Sequence, residues 1–109
     1  MRGRLAFGPA AALLLLVAPS MAAAAPRTHV VTIEKMKFGA LPADVRAGDT
    51  IIWDNRDMFK HTATAKDGSF DIDLPAGARG TIIVKKTGAI AILCRFHPGM
   101  RAMLKVGAN

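Results

Sequence analysis

Four side chains that can bind a soft metal ion lie at two places in the chain. Cys94, His97 and Met100 follow one another at three-residue steps, and His61 belongs to a separate strand-like segment upstream. Thiolate suits Cu(I), imidazole suits both oxidation states of copper, and a distant thioether adds a weak, tunable contact. Two His, one Cys and one weak Met form the ligand set of a blue-copper electron-transfer site. The set predicts one copper ion, Cu(I) or Cu(II), with His61, Cys94, His97 and Met100 as metal ligands.

Each of these residues also has a purely structural explanation when it is taken alone. Cys94 ends an apolar strand, where a free cysteine is commonly a small buried hydrophobe. His97 alone is typical of a surface loop, Met100 of the start of a core strand, and His61 of a strand end. Pro98 and the glycine after it favour a chain reversal between His97 and Met100, so the Cys, His and Met side chains can converge.

Other ligands and other metals fit the pattern less well. Met103 lies inside the last apolar strand, where core packing is the simpler role. His29 is close to the expected mature N-terminus, and we expect it to be exposed. Zinc prefers four Cys or His ligands in structural sites, and a thioether is a poor ligand for it.

The N-terminal segment has the three parts of a secretory signal peptide. Arg2 and Arg4 precede the apolar run Leu5–Val17, and Ala22-Ala23-Ala24-Ala25 provides an A-x-A cleavage site. The apolar run is shorter than the roughly 20 residues of a membrane-spanning helix, although an uncleaved anchor stays an alternative. The arginines are not adjacent, so a Sec-type signal is expected. We therefore predict a signal peptide over residues 1–24, a domain over 25–109, a periplasmic location and no membrane insertion after processing.

Size, cysteine count and charge limit the function. A mature chain of about 85 residues has a modest core, and the single cysteine of the sequence cannot form an internal disulfide. A lone cysteine in an exported protein calls for a role such as metal binding, which would also stabilise the fold. The formal charge of the whole chain is +7, which favours a partner with an acidic docking surface. The basic residues are scattered, so nucleic acid is not expected as a partner.

Short extended segments separated by turns dominate the rest of the sequence. About eight of them occur at roughly ten-residue spacing, which indicates an all-β sandwich or barrel. They are Thr28–Glu34, Ala43–Arg46, Thr50–Asp54, His61–Ala65, Phe70–Ile72, Thr81–Lys85, Ala89–Cys94 and Met100–Val106. The pairs Ile51/Trp53, Ile82/Val84 and Ile90/Ile92 are expected to supply the core.

From Val31 to Val106 the chain resembles a small cupredoxin of the plastocyanin/azurin superfamily, most closely the amicyanin- and pseudoazurin-type bacterial members. The segments that carry the resemblance are Ile33–Phe38, Val45–Ile51, Trp53–Asp57 before His61, Phe70-Asp71 and Cys94–Met100. The two residues between His97 and Met100 are similar to the short loop of amicyanins. The resemblance implies a Greek-key β-sandwich with His61, Cys94 and His97 as equatorial ligands and Met100 as the axial ligand.

The resemblance also implies a role and a surface. Members carry single electrons between redox proteins, so the chain is expected to be a monomeric, non-enzymatic carrier with a c-type cytochrome or a periplasmic dehydrogenase as partner. Their second histidine ligand lies under an apolar patch, for which Met36, Phe59 and Pro98 are the candidates. No nucleophile and base are paired in the sequence, which agrees with a non-enzyme.

The chain departs from the family pattern at three places. Ile92-Leu93 stands where an aromatic pair is common before the cysteine. Thr62 stands where an asparagine is common, which keeps the backbone N–H for the cysteine sulfur but leaves the side-chain bracing of the loop in doubt. Arg95 adds a positive charge beside the thiolate, so we expect a relatively high reduction potential that falls in Arg95→Ala.

Two other functions stay open at this stage. A copper chaperone or storage protein is the main alternative, because Met36, Met58, Met100 and Met103 could hold Cu(I). A metal-free β-sandwich that binds another protein is the third, and it predicts that Cys94→Ser costs no stability.

Overall fold

The computed structural model describes residues 3–19 and 24–109. Residues 1–2 and 20–23 lie outside the described residues, and they include the first half of the expected cleavage site, residues 22 and 23. Residues 3–19 have no regular secondary structure, and the side chains from Leu13 to Val17 are 80–92% exposed. Within the described ranges, no helix is long and apolar enough to cross a membrane.

Within residues 24–109, nine strands form the domain. They are β1 (Thr28–Glu34), β2 (Lys37–Phe38), β3 (Val45–Arg46), β4 (Thr50–Asn55), β5 (His61–Ala65), β6 (Asp71–Leu74), β7 (Arg79–Ile83), β8 (Gly88–Leu93) and β9 (Arg101–Gly107). One sheet has the order β2-β1-β4-β7 and the other β3-β9-β8-β5-β6. β1 pairs with β4 and β3 with β9 in parallel, whereas the remaining pairs are antiparallel. The predicted all-β sandwich is confirmed.

Alternating apolar residues on facing strands make the core between the two sheets. Ile51, Trp53, Ile90 and Ile92 are buried as expected. The remaining expected pair, Ile82 and Val84, is only partly confirmed. Val84 is buried, one residue after β7 ends, whereas Ile82 is only partly buried. Trp53 packs edge-on against Phe38, with ring centroids 5.9 Å apart, and at a tilt against Phe70, 6.1 Å away.

The strand that sequence patterning missed is β2. It pairs with the end of β1 through a turn at Lys35 and Met36, whose φ angles are 52° and 60°. Two successive positive φ angles define the tight turn that normally favours Asn-Gly, and each non-glycine residue there costs about 1–2 kcal/mol. The sequence therefore lacked the usual hairpin signal, and the contacts that hold this turn belong to the site described below.

Several strand boundaries also differ from expectation, and three of the differences are as follows. β6 runs to Leu74, two residues beyond the expected end at Ile72, and Leu74 pairs with His61 of β5. Cys94 lies one residue after the end of β8 rather than inside it. β7 begins at Arg79, two residues before the expected start at Thr81. The first two differences matter for function, because they place His61 and Cys94 where paired strands give way to loops.

One end of the sandwich collects the residues expected to bind metal. β4 ends there at Asn55, β5 begins at His61, and the segment between β8 and β9 carries Cys94 to Met100. β8 and β9 are antiparallel neighbours, so this segment is a hairpin loop at that end. The topology thus brings residues from distant parts of the sequence to one pole.

The opposite pole contains a buried carboxylate, Asp49. It accepts hydrogen bonds from the backbone N–H groups of Arg27 and Arg46, at 2.9 and 3.0 Å. His29 Nε2 lies 2.9 Å from Asp49 Oδ2, the oxygen that also accepts the Arg46 N–H, and the His29 side chain is only 13% exposed. The expectation that His29 is an exposed residue was therefore wrong, because its ring is held against this carboxylate.

Replacing Asp49 should lower stability in a pH-dependent way. Backbone N–H donors, followed by His29, lower the pKa of Asp49 well below its usual range. A carboxyl whose pKa is depressed in the folded state stabilises it above the unfolded pKa, near 3.9, and loses that contribution as the pH falls towards the folded pKa. We expect Asp49→Asn to lower the free energy of unfolding by about 2 kcal/mol at pH 7 and by progressively less below pH 4. Urea denaturation of the metal-free protein at several pH values measures this, with the exposed Asp44→Asn as the matched control; a pH-independent loss would contradict it.

Candidate metal centre

His61, Cys94 and His97 meet at the pole of the sandwich. Cys94 Sγ lies 3.8 Å from His61 Nδ1 and 3.5 Å from His97 Nδ1, and the two Nδ1 atoms are 3.2 Å apart. Within the described residues, these three form a group whose ligand atoms all lie within 4.8 Å of one another. The structure thus brings together three of the four residues that the sequence singled out.

The three distances suit one small metal ion. Metal bonds of about 2.0 Å to nitrogen and 2.3 Å to sulfur allow two nitrogens on one ion to be up to about 4.0 Å apart, and a nitrogen and a sulfur up to about 4.3 Å. All three measured separations are shorter than these limits. Imidazole and thiolate together are ligands that copper accepts in both oxidation states. The donor set therefore fits one copper ion.

Cys94 is prepared to bind as a thiolate. The side chain is buried, with 1% of its surface exposed, and the backbone N–H of Thr62 donates to its sulfur at 3.4 Å. Burial alone would raise the pKa of the thiol, but the Thr62 N–H, both imidazoles and the Phe96 N–H lower it to about 6. The sulfur therefore gives up its proton readily, which metal binding requires.

His61 is oriented by a carboxylate that the sequence analysis did not single out. Its Nε2 lies 2.7 Å from Asp57 Oδ2. Burial opposes the ionisation of Asp57, but hydrogen bonds from Met36, His61 and Lys35 lower its pKa, so it is an acceptor only. The proton of the imidazole is consequently on Nε2, and the lone pair of Nδ1 points towards Cys94 and His97.

Asp57 also holds the strained turn between β1 and β2. Its two oxygens accept the backbone N–H groups of Lys35 and Met36, at 2.7 and 3.0 Å. Both residues have positive φ, and such strain persists where the surroundings fix it. One carboxylate therefore links the hairpin turn to the first histidine of the site.

The loop before His61 is anchored by buried Asn55. Its Nδ2 donates towards the carbonyls of Phe59 and Leu74, both at 2.9 Å, and its Oδ1 accepts the N–H of Asp57 at 3.0 Å. The side chain thus ties the loop from 56 to 60 to the neighbouring strand β6. An asparagine at a strand end gives no signal of this role in the sequence.

The reversal expected at Pro98 and Gly99 is present. Met100 N–H donates to the carbonyl of His97 at 2.8 Å, and Cys94 N–H donates to the carbonyl of Met100 at 3.2 Å. These bonds close the loop that carries His97, which is partly exposed, and bring the backbone of Met100 back to Cys94. The Met100 side chain is buried.

Thr62 braces the loop that the sequence left in doubt. Its Oγ1 accepts the N–H of Arg95 at 2.9 Å, while its own N–H donates to Cys94. The hydroxyl therefore takes over the side-chain bracing expected of an asparagine. Arg95 was expected to place a positive charge beside the thiolate, and in the structure this charge is paired: Nε lies 3.1 Å from Asp71, and a second nitrogen pairs with Asp73. The guanidinium is neutralised by two carboxylates rather than free beside the thiolate.

Exposed apolar side chains lie on the loops at the same pole as the partly exposed His97. Of the three patch residues expected, Phe59 and Pro98 are exposed and Met36 is partly buried. Met58, 83% exposed, and Phe96, 46% exposed, extend the patch. Sequence analysis missed these two for this role, although each is adjacent to a residue already considered.

Basic residues border this apolar patch. Lys60 Nζ lies 4.9 Å from the centre of the Phe96 ring, and Arg101 Nε donates to the carbonyl of Pro98 at 3.0 Å. Lys37 and Arg101 line one surface cavity together with Met36 and Met100. The patch is thus apolar at its centre and positively charged at its rim.

A β-sandwich that gathers two imidazoles and one thiol at one pole is the architecture of the cupredoxins, and comparison with known proteins agrees. Residues 8–106 match the family described as a cupredoxin-like domain. The chain belongs to this family. The resemblance predicted from the sequence is thereby confirmed.

Among the relatives is amicyanin. The amicyanin of Paracoccus versutus is 32% identical over 95 residues, which cover 81% of this chain and 72% of that protein. The crystal structure of amicyanin from Paracoccus versutus (Thiobacillus versutus) superposes with a TM-score of 0.62 at 28% identity, covering 73% of this chain and 81% of that chain. The Cu(I) form of a methionine-to-alanine mutant of amicyanin gives a TM-score of 0.63 at 26% identity, covering 77% and 86%. These similarities support a cupredoxin of the amicyanin type.

Proposed function

We propose that this protein is a periplasmic type 1 copper protein that carries one electron at a time between redox partners. The observation that carries the proposal is the convergence of His61 Nδ1, Cys94 Sγ and His97 Nδ1 within 4.8 Å at one pole of a β-sandwich. The relatives are amicyanins, one of them solved with Cu(I). A bound copper ion would supply the one-electron redox couple, and the chain would position it near a docking surface.

In this proposal His61, Cys94 and His97 are the equatorial ligands and Met100 is the axial one. The sharing of one loop by Cys94, His97 and Met100 supports the assignment, as does the return of the Met100 backbone to Cys94. Asp57 and the Thr62 N–H hold two of the ligands before the metal arrives. Electron transfer benefits because the ligands move little when the oxidation state changes.

Residues 1–24 are proposed to be a cleaved signal peptide and residues 25–109 the copper domain. The exposed apolar side chains from Leu13 to Val17 support this division, since the described part of that segment adds nothing to the core. The mature protein would then work in the periplasm as a monomer without membrane insertion.

The partner is proposed to be a redox protein with an acidic docking surface, such as a c-type cytochrome or a periplasmic dehydrogenase. The apolar patch around His97 supports a desolvated contact over the metal site. The rim of Lys37, Lys60 and Arg101 supports charge steering, because positive potential at a docking site raises the rate of encounter with acidic partners.

Copper retention distinguishes an electron carrier from a copper chaperone. Met103, one of the thioethers that favoured the chaperone, is exposed on β9 rather than part of the site. We expect the copper-loaded protein to cycle through oxidation and reduction without losing its ion to a Cu(I) chelator present in modest excess. Rapid and complete transfer to the chelator on reduction would contradict the electron carrier and support the chaperone.

The basic rim predicts opposite salt effects with small redox complexes of opposite charge. Oxidation of the Cu(I) protein by anionic hexacyanoferrate(III) should slow as ionic strength rises, and oxidation by a cationic cobalt(III) complex should accelerate. Lys60→Gln should slow the anionic reaction about twofold at low salt. Stopped-flow kinetics measures both.

Lys105→Gln is the matched control for this experiment. Lys105 lies four residues along β9 from Arg101, which places it about 13 Å further from the pole. The control should leave both rates nearly unchanged. Equal effects of the two lysine substitutions on the rates would contradict a docking role for the rim. The salt dependence would then be explained by the net charge of the protein alone.

A further inference from the structure

Four hydrogen bonds join Thr62, Thr64, Asp71 and Arg95 into a closed ring beside Cys94. Arg95 N lies 2.9 Å from Thr62 Oγ1, and Thr62 Oγ1 lies 2.9 Å from Thr64 Oγ1. Thr64 Oγ1 lies 2.8 Å from Asp71 Oδ1, and Arg95 Nε lies 3.1 Å from the same oxygen. We call these four residues the hydroxyl ring.

Elementary donor counting gives every bond of the hydroxyl ring a direction. A carboxylate only accepts, so the Thr64 hydroxyl must donate its single proton to Asp71. The Thr62 hydroxyl must then donate to Thr64, which leaves the lone pairs of Thr62 Oγ1 for the N–H of Arg95. The chain of donors therefore runs from the Arg95 backbone through two hydroxyls to the carboxylate, and such chains polarise their members cooperatively.

The hydroxyl ring lies where the backbone pairing of two strands stops. β5 and β8 are paired at Ala65↔Ile92 and Thr64↔Leu93, and no pair is formed at Thr62. There the Thr62 N–H donates to the Cys94 sulfur instead of a carbonyl, and the Thr62 hydroxyl accepts the next N–H along, that of Arg95. Thr62 therefore connects β5 to the segment after β8 at the point where the two strands separate, and the Cys94 sulfur lies in the space between them.

A neighbouring strand fixes the far side of the hydroxyl ring. Thr64 and Asp71 are direct cross-strand partners on β5 and β6, as are Thr62 and Asp73. Arg95 pairs with both aspartates and lies 5.4 Å from the centre of the Phe96 ring. The residue that follows the thiolate is therefore tied to the sheet through its backbone and its side chain.

We propose that the Thr64–Asp71–Arg95 side of the hydroxyl ring fixes the Thr62 hydroxyl and, through it, the peptide that follows Cys94, with Arg95 as a structural clamp. The ring holds the peptide after Cys94 so that the Thr62 N–H···Sγ contact and the direction of the sulfur towards the histidines are preserved. The role of the ring toward copper rests on the proposed function, whereas its hydrogen bonds can be tested without metal.

The first test is amide hydrogen exchange of Arg95 in the metal-free protein, followed by NMR. Thr62→Val removes the hydroxyl at nearly constant shape and should accelerate exchange of the Arg95 amide about tenfold. Thr62→Ser restores the hydroxyl and should return the rate close to that of the wild type. Thr81→Val, on the exposed side of β7, is the matched control and should change nothing. Unchanged Arg95 exchange in Thr62→Val would overturn the proposal.

Thr64→Val provides a second variant if Thr62→Val does not fold. It breaks the link to Asp71 while leaving the Thr62 hydroxyl in place, so Arg95 exchange should accelerate by a smaller factor of about two to three. Exchange identical to that of the wild type would overturn the relay from Thr62 to Asp71. Each result is obtained whether or not the protein binds copper.

The second test uses the copper-loaded protein. Loss of a residue that positions a metal ligand typically lowers metal affinity 10–100-fold; we expect about tenfold faster copper loss to a chelator in Thr62→Val and recovery in Thr62→Ser. The thiolate-to-copper absorption and the reduction potential should shift in Thr62→Val and return in Thr62→Ser. Unchanged absorption and copper loss in Thr62→Val, despite faster Arg95 exchange, would overturn the positioning role. Failure of the wild type itself to bind copper would contradict the proposed function and leave the amide result standing.

Discussion

Copper should stabilise the wild-type protein strongly and Cys94→Ser hardly at all. A ligand that binds only the folded state raises the free energy of unfolding. The increase is about 4 kcal/mol when the free ligand concentration is a thousand times the dissociation constant. Cys94 supplies the only sulfur within the His61–Cys94–His97 group, and a serine hydroxyl is a much weaker ligand for copper. Thermal denaturation with and without one equivalent of copper measures the difference.

A matched control shows whether the stabilisation by copper depends on Cys94 or on another sulfur atom of the chain. Met103 is exposed on β9, and Met103→Leu should retain the full stabilisation by copper. The metal-free forms of wild type and Cys94→Ser should differ by no more than about 1–2 kcal/mol, the range of an ordinary buried substitution. Equal stabilisation of wild type and Cys94→Ser by copper would contradict the assignment of Cys94 as a ligand.

Asp57→Ala should weaken the fold and the site together. It leaves the backbone N–H groups of Lys35 and Met36 without their acceptor in a turn of positive φ, and it releases His61 Nε2. We expect the free energy of unfolding of the metal-free protein to fall by about 2–3 kcal/mol. Copper affinity should fall about 10–100-fold, as is usual when the partner of a metal-binding histidine is removed.

The control for Asp57 is Asp67→Asn. Asp67 caps a turn between β5 and β6, where it accepts the N–H of Ser69 and pairs with Lys86. Its pKa, like that of Asp57, is lowered by hydrogen bonds, here to about 2, but it touches no residue of the site. Urea denaturation and competition for copper should both show little change in Asp67→Asn. A similar loss of copper affinity in the two variants would contradict a specific role for Asp57.

The convergence of His61, Cys94 and His97 could be predicted from sequence because the chemistry of these residues together is unusual. Few other functions bring together one cysteine, two histidines and a methionine in a chain of this size, and Pro98-Gly99 indicated the turn that brings them close. The alternation in His61–Ala65 likewise predicted β5 with its observed bounds. Here local pattern and tertiary environment agree.

The residues that support the site could not be predicted, because their roles depend on contacts across the fold. Asp57 lies in a polar turn like several other aspartates, and nothing local indicates that it holds His61 and the Lys35–Met36 turn. That turn has no glycine or asparagine, so β2 was missed. Arg95 was expected to place a positive charge beside the thiolate, and the sequence does not reveal that Asp71 and Asp73 lie on the strand beside it.

The most direct test of a blue-copper site is the visible spectrum of the protein during titration with Cu(II), followed by a reductant. The arrangement of His61, Cys94 and His97 predicts an intense thiolate-to-Cu(II) absorption that saturates at one copper per chain, gives a blue colour and bleaches on reduction. Cys94→Ser should bind no copper with this absorption. Tight binding of one copper by the wild type without the intense band would contradict the account, because Cys94 would then not be an equatorial ligand of Cu(II).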